Sequence, residues 1–103
     1  MQFIETSVFT KALLTLLSDD EYRALQNRLL IDPTIGDVIR GGGGIRKLRF
    51  GTEGRGKRGG VRVIYFWLSP EEEIYMLLIY PKSKKDTLSA DEIAVLRALV
   101  KEF

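Results

Sequence analysis

The 103-residue sequence contains neither cysteine nor histidine. Zinc, iron and copper sites draw on thiolates and imidazoles, so the two absences exclude nearly all of them, along with Cys–His and Ser–His nucleophile pairs. Without cysteine no disulfide supports the fold. Carboxylates could still hold magnesium, but Asp19-Asp20-Glu21 and Glu71-Glu72-Glu73 read as an exposed helix start and an exposed turn. No metal and no cofactor is expected, and any catalysis must use Lys, Arg, Tyr or carboxylates. Long apolar runs are also missing: none approaches the roughly 20 residues that span a bilayer. The opening Met1-Gln2-Phe3-Ile4-Glu5 lacks the basic start and apolar stretch of a signal peptide. A cytoplasmic protein without a membrane partner is the expectation.

What is present is an ordinary globular composition, 45% hydrophobic and 29% charged, in a length that suits one domain over residues 1–103. The net charge of +2 conceals a strong asymmetry. Residues 1–39 carry −3, whereas residues 40–62 carry +7, from Arg40, Arg46, Lys47, Arg49, Arg55, Lys57, Arg58 and Arg62 against Glu53 alone. A block of that kind points to an anionic partner, nucleic acid foremost.

Hydrophobic spacing gives the elements. Residues 2–5 read as a short strand. Phe9, Leu13, Leu16 and Leu17 form the stripe of an amphipathic helix. Ser18 with Glu21 makes a capping box for a second helix, whose face carries Tyr22, Leu25 and Leu29 and which Asp32-Pro33 ends. The outer faces of this pair are acid-rich, which favours a hairpin covering the core over a DNA-reading unit. Residues 45–50 read as a strand that points Lys47 and Arg49 one way and Leu48 and Phe50 the other. Residues 61–68 are apolar enough for a central strand covered on both faces. Residues 74–80 form another strand, Pro81 ends it, and Lys82-Ser83-Lys84-Lys85-Asp86 makes a basic loop. Ser89 with Glu92 caps a last helix bearing Ile93, Leu96, Val100 and Phe103. Strands following paired helices indicate an α+β domain with an antiparallel meander. Tyr65 and Trp67 are read as core, not as base-stacking groups.

The glycine-rich loop at residues 51–60 matches three phosphate-binding patterns by letter. Gly51-x4-Gly56-Lys57 has Walker A spacing, but Arg58 stands where Ser or Thr must hold magnesium. The dinucleotide fingerprint from Gly54 to Gly59 fails because a strand follows it and not a helix. A kinase-type glycine loop requires catalytic and metal-binding Asp loops on a far longer chain. The loop's glycines and its Arg55, Lys57 and Arg58 nevertheless suit contact with phosphates.

Three stretches together resemble the HigB-like branch of the RelE toxins: Gly36-Asp37-Val38-Ile39-Arg40-Gly41, then residues 43–49, then Gly56-Lys57-Arg58-Gly59-Gly60-Val61-Arg62-Val63-Ile64-Tyr65. Residues 79–88 resemble the same branch's strand end and helix entry. The resemblance implies a RelE/ParE-like fold with an N-terminal strand and helical hairpin, an antiparallel sheet and a C-terminal helix. It also implies a toxin that cleaves mRNA in the ribosomal A site without a metal. A cognate antitoxin of helix-turn-helix type would silence it, with operator DNA contacted only through that antitoxin. The basic residues of the RelE pattern fall on Lys47, Arg49 and Arg62, with Tyr80 and Lys82 from the last strand end as further catalytic candidates. Arg46, Arg55, Lys57, Arg58, Lys84 and Lys85 are the RNA-binding candidates. The RelE pattern has a tyrosine near the start of the C-terminal segment; here the chain reads Asp86-Thr87-Leu88-Ser89, which leaves the proton-moving group open between Lys47 and Tyr80. Two alternatives carry different chemistry: a gyrase inhibitor of ParE type on the same scaffold, and a non-catalytic RNA- or ribosome-binding module.

Overall fold

A computed structural model describes residues 1–51, 60–85 and 87–103. The elements run β1 (Gln2–Glu5), α1 (Ser7–Leu16), α2 (Asp19–Ile31), β2 (Asp37–Val38), β3 (Arg46–Phe50), β4 (Val61–Leu68), β5 (Glu73–Pro81) and α3 (Ala90–Val100). One five-stranded sheet has the order β1-β5-β4-β3-β2. The expected meander β3–β4–β5 is antiparallel throughout. The sheet as a whole is mixed, because β1 joins β5 in parallel. That arrangement follows from the helical hairpin, which carries the chain back across the sheet before the meander begins. The two-residue strand β2, paired with β3, is an addition that the sequence pattern does not reveal.

Both sheet faces are covered, as the hydrophobicity of β4 demands. On one face, Phe9, Leu13, Leu25 and Leu29 of the hairpin pack on Leu48, Phe50, Val63, Tyr65 and Met76. On the other, Leu96 and Val100 of α3 pack on Ile45, Ile64, Leu77 and Tyr80. Val61 to Tyr65 are buried without a break, so alternation cannot show there. Phe103, just past the end of α3, stacks on Tyr75 with ring centroids 3.8 Å apart. Among the described residues no helix is long and apolar enough to cross a membrane.

Each helix start is held by a side chain. Ser18 Oγ accepts from the Glu21 N–H at 3.1 Å while Glu21 Oε1 accepts from the Ser18 N–H at 2.8 Å, and Ser89 and Glu92 repeat this reciprocal pair. Thr6 caps α1 by accepting from the Phe9 N–H. Its hydroxyl also donates to the Leu77 carbonyl at 2.9 Å, tying the helix to β5 at an irregular register between Ile64 and Tyr65 of β4. Sequence inspection missed this cap, because no capping-box partner follows Thr6.

The segment between α2 and β2 is fixed from inside. The fully buried Tyr65 donates its phenol to the Pro33 carbonyl at 2.7 Å and accepts from the Gly36 N–H at 2.9 Å. Gly36 has to be glycine, since a Cβ there would lie 2.8 Å from the Tyr65 ring and 3.0 Å from the Lys47 carbonyl. Burial pushes the Tyr65 phenol above its usual range. Tyr22 of α2, half-buried against Phe9, is pushed up as well, by desolvation first and then by its 2.6 Å hydrogen bond to Glu5 and that group's charge.

Removing the Tyr65 hydroxyl while keeping its ring should strand the Pro33 carbonyl and the Gly36 N–H. Tyr65→Phe is expected to cost about 1–3 kcal/mol in urea unfolding. The raised phenol pKa values set a pH window. A group whose folded pKa exceeds its unfolded value contributes stability that is complete below the unfolded pKa, near 10 for tyrosine, and that disappears as pH rises through the folded one. The melting temperature should therefore fall above about pH 10, and the fall should be shallower in Tyr22→Phe than in the parent protein.

Candidate nucleic-acid interface

Pleating and register build the site. Within β3, Lys47 and Arg49 share one face, and they share it with the α3 side of the sheet. Arg49 is paired with Arg62 of β4, and Arg62 with Tyr80 of β5. The three residues form a row across adjacent strands, with neighbouring Cα atoms about 4.5–5.5 Å apart. Lys47 stands in the next row, between Asp37 of β2 and Ile64 of β4, roughly 7 Å along the strand from Arg49.

The turn after β5 adjoins this row. The Lys82 N–H donates to the Gly60 carbonyl at 3.2 Å, and the N–H groups of Lys84 and Lys85 reach back to the Pro81 carbonyl. Gly60 enters β4 with φ +67°, where a Cβ would meet the Phe50 carbonyl oxygen at 2.1 Å. Only glycine brings the strand in so close to the end of β3, two residues before Arg62. Lys82 and Lys84 are exposed.

Accessibility sorts the members of the row. Arg49 is exposed, whereas Arg62 is 4% exposed and is the buried charged side chain among the described residues. Its Nη1 donates to the Val61 carbonyl at 3.4 Å. A buried guanidinium is costly unless its donors are engaged, so a cation in this place is held in a fixed orientation. Tyr80 is buried below Lys85, whose Nζ lies 5.3 Å from the ring centroid. Lys85 also forms an ion pair with Glu92 on the first turn of α3. The Lys85 hydrogen bond, followed by the Ser89 backbone, holds the Glu92 carboxyl below the usual carboxylate range. Among the described residues, no cluster of acidic side chains is placed to hold a metal ion.

The candidates thus divide. Lys47, Arg49, Arg62 and Tyr80 come together on one face, with Lys82 and Lys84 on the adjoining turn. Lys85 joins the same neighbourhood but is tied to α3. Arg46 is placed elsewhere: it is paired with Tyr65 on the hairpin side, and its Nη1 donates to the carbonyls of Gly36 at 2.9 Å and Thr34 at 3.1 Å. Its charge holds the same segment that Tyr65 clamps. Arg55, Lys57 and Arg58 lie outside the described residues. The Tyr80–Lys85–Glu92 cluster escaped sequence reasoning; the capping box placed Glu92 on the first turn of α3, but nothing in the sequence tells which lysine of the basic loop will meet it.

Residues 34–103 match the model of a family described as the RelE toxin of the RelE/RelB toxin–antitoxin system. Among solved structures, the fold is similar to that of the E. coli toxin RelE in the free state, in a variant with two arginines changed to alanine. The TM-score is 0.60 at 14% identity, and 94% of this chain and 93% of that one are covered. At that identity the structural likeness speaks for the fold, whereas the family match takes in more than half of the sequence, including every strand of the basic row. The chain belongs to the RelE toxin family of toxin–antitoxin systems.

Proposed function

We propose that this protein is an endoribonuclease that cuts mRNA in the ribosomal A site by metal-independent acid–base chemistry, in the manner of the HigB-like branch. The observation that carries the reading is the row Arg49–Arg62–Tyr80, set by strand register on three neighbouring strands, with Lys47 one row away and Lys82 on the adjoining turn. A cognate antitoxin follows from the family. We take it to be a helix-turn-helix protein that silences the toxin in the cytoplasm and alone contacts operator DNA.

The chemistry asked of the site is transfer of a phosphoryl bond within the RNA. The ribose 2′-oxygen attacks the adjacent phosphorus, the bond to the 5′-oxygen breaks, and a cyclic phosphate and a free 5′-hydroxyl result. The 2′-hydroxyl must lose a proton, the phosphorane gains negative charge, and the leaving oxygen must gain a proton. Arg49 and Arg62 suit the second task, because a guanidinium stays charged and its fork fits two phosphate oxygens. The fixed, buried setting of Arg62 adds preorganisation, which makes such a charge effective in the transition state. Lys47 or Tyr80 moves the proton, and Lys82 steadies the leaving group. Lys84 and Lys85, with Arg55, Lys57 and Arg58, supply charge for the RNA backbone around the cut. The ribosome positions the message. The concentration of cations on one face favours this reading over gyrase inhibition on the same scaffold.

Arg49→Ala and Arg62→Lys should each lower cleavage of translated mRNA about 10²–10³-fold, the scale set by removing one preorganised transition-state donor. Growth arrest should be lost in parallel. Primer extension on a translated message checks the first effect and induction in cells the second, with thermal melting to confirm that both variants fold. Full toxicity and unchanged cleavage in both would remove the assignment. Inhibition of purified gyrase by the parent protein, without any RNA scission, would transfer it to the ParE type.

A further inference from the structure

Lys47 takes part in a second feature. With Ile39, Arg40, Thr87, Leu88 and Ile93 it lines a cleft of about 220 Å³ between β3, the loop after β2 and the entrance to α3. The cleft is well supported. The Ile39 N–H donates to the Ile45 carbonyl at 2.9 Å, Ile39 and Leu88 pack against the α3-side core, and Ile93 sits on a helix turn locked by the Ser89–Glu92 capping box.

Size and lining narrow the occupant. The volume lies below the roughly 300–1,000 Å³ of pockets that enclose drug-sized ligands, so the cleft has room for a single ring system. Three aliphatic side chains offer the surface on which a flat ring loses its hydration. The polar groups are a guanidinium, an ammonium and one hydroxyl, and among the described residues no carboxylate lines the cleft. A cationic ligand is therefore disfavoured, and a ring edge rich in acceptors is favoured. Continuity with the basic row is direct, because Lys47 belongs to both. One strand row, roughly 7 Å, separates Lys47 from Arg49, a reach that a single nucleotide covers. Single-stranded RNA is recognised by turning an unstacked base out into such a recess, against apolar or guanidinium surfaces.

We infer that this cleft is a nucleobase subsite, holding the base of the nucleotide that flanks the bond lying on the Arg49–Arg62–Tyr80 row. The inference rests on the ribonuclease reading for its place beside a scissile bond. Guanine presents O6 and N7 as adjacent acceptors, whereas adenine replaces one of them with a donor, so Arg40 and Lys47 select guanine ahead of adenine. The row then provides the chemistry and the cleft the choice of cleavage site.

Two measurements on the full chain test this. In a translating extract, the ratio of cleavage next to guanine over adenine should be high for the parent protein. It should drop roughly tenfold in Arg40→Ala, an exposed position, and in Ile93→Trp, which fills the cleft. Separately, the methyl NMR signals of Ile39, Leu88 and Ile93 are followed during titration with uncleavable 2′-O-methyl oligonucleotides carrying guanine, adenine or an abasic site. They should shift most with guanine and least with the abasic strand. If no RNA is cut yet the methyl groups discriminate in that order, the subsite stands and the nuclease reading falls. If cleavage proceeds with an unaltered ratio in both variants, or the methyl groups respond equally to the abasic strand, the subsite is wrong and the nuclease reading is untouched.

Discussion

The register of β3, β4 and β5 is the constraint on which the rest of this molecule depends. The side-chain period of a strand is two, so a slip of one residue would exchange the faces of a whole strand. In β4 the consequence would be severe on both sides. Arg62 would turn into the layer of Phe9, Leu25 and Leu29, and Val63 would take its place beside Arg49. The hydrophobic packing on the hairpin face therefore fixes where the cations stand on the other. Stability and the candidate chemistry draw on one geometric choice.

That choice has a cost, and it is confined to one end of the sheet. The α3-side face is apolar where Ile45, Ile64 and Leu77 meet Leu96 and Val100, and it becomes cationic toward Arg49 and Arg62. Bringing several like charges together on adjoining strands is unfavourable by itself. The fold tolerates it because the apolar half of the face and the entire opposite face supply the burial. The close approach of Gly60 to β3 holds the basic end in place without a side chain of its own.

Basic residues in this protein divide by role more finely than their clustering suggests. Arg46 and Lys47 are neighbours in the chain, yet pleating sends them to opposite faces. One secures the Thr34 and Gly36 carbonyls; the other joins the row and the adjacent cleft. Lys85, from the basic loop, neutralises Glu92 and covers Tyr80, so part of the charge read from the sequence as available to RNA is used to dock the last helix.

The sequence by itself determined the elements with local causes. Two capping boxes, the helical stripes, the alternation that separates Lys47 and Arg49 from Leu48 and Phe50, and the uniformly apolar β4 all express interactions between residues a few positions apart, and short-range spacing reports those directly. Tertiary structure alone decided the parallel pairing of β1, the existence of β2, the Tyr65 clamp on Pro33 and Gly36, and the pairing of Lys85 with Glu92. It also decided which cations share a row and which recess lies beside them. These depend on contacts between residues as much as 71 positions apart, as between Thr6 and Leu77. No local pattern encodes them, because the chain must first close its loops and bury its apolar faces before such partners can meet.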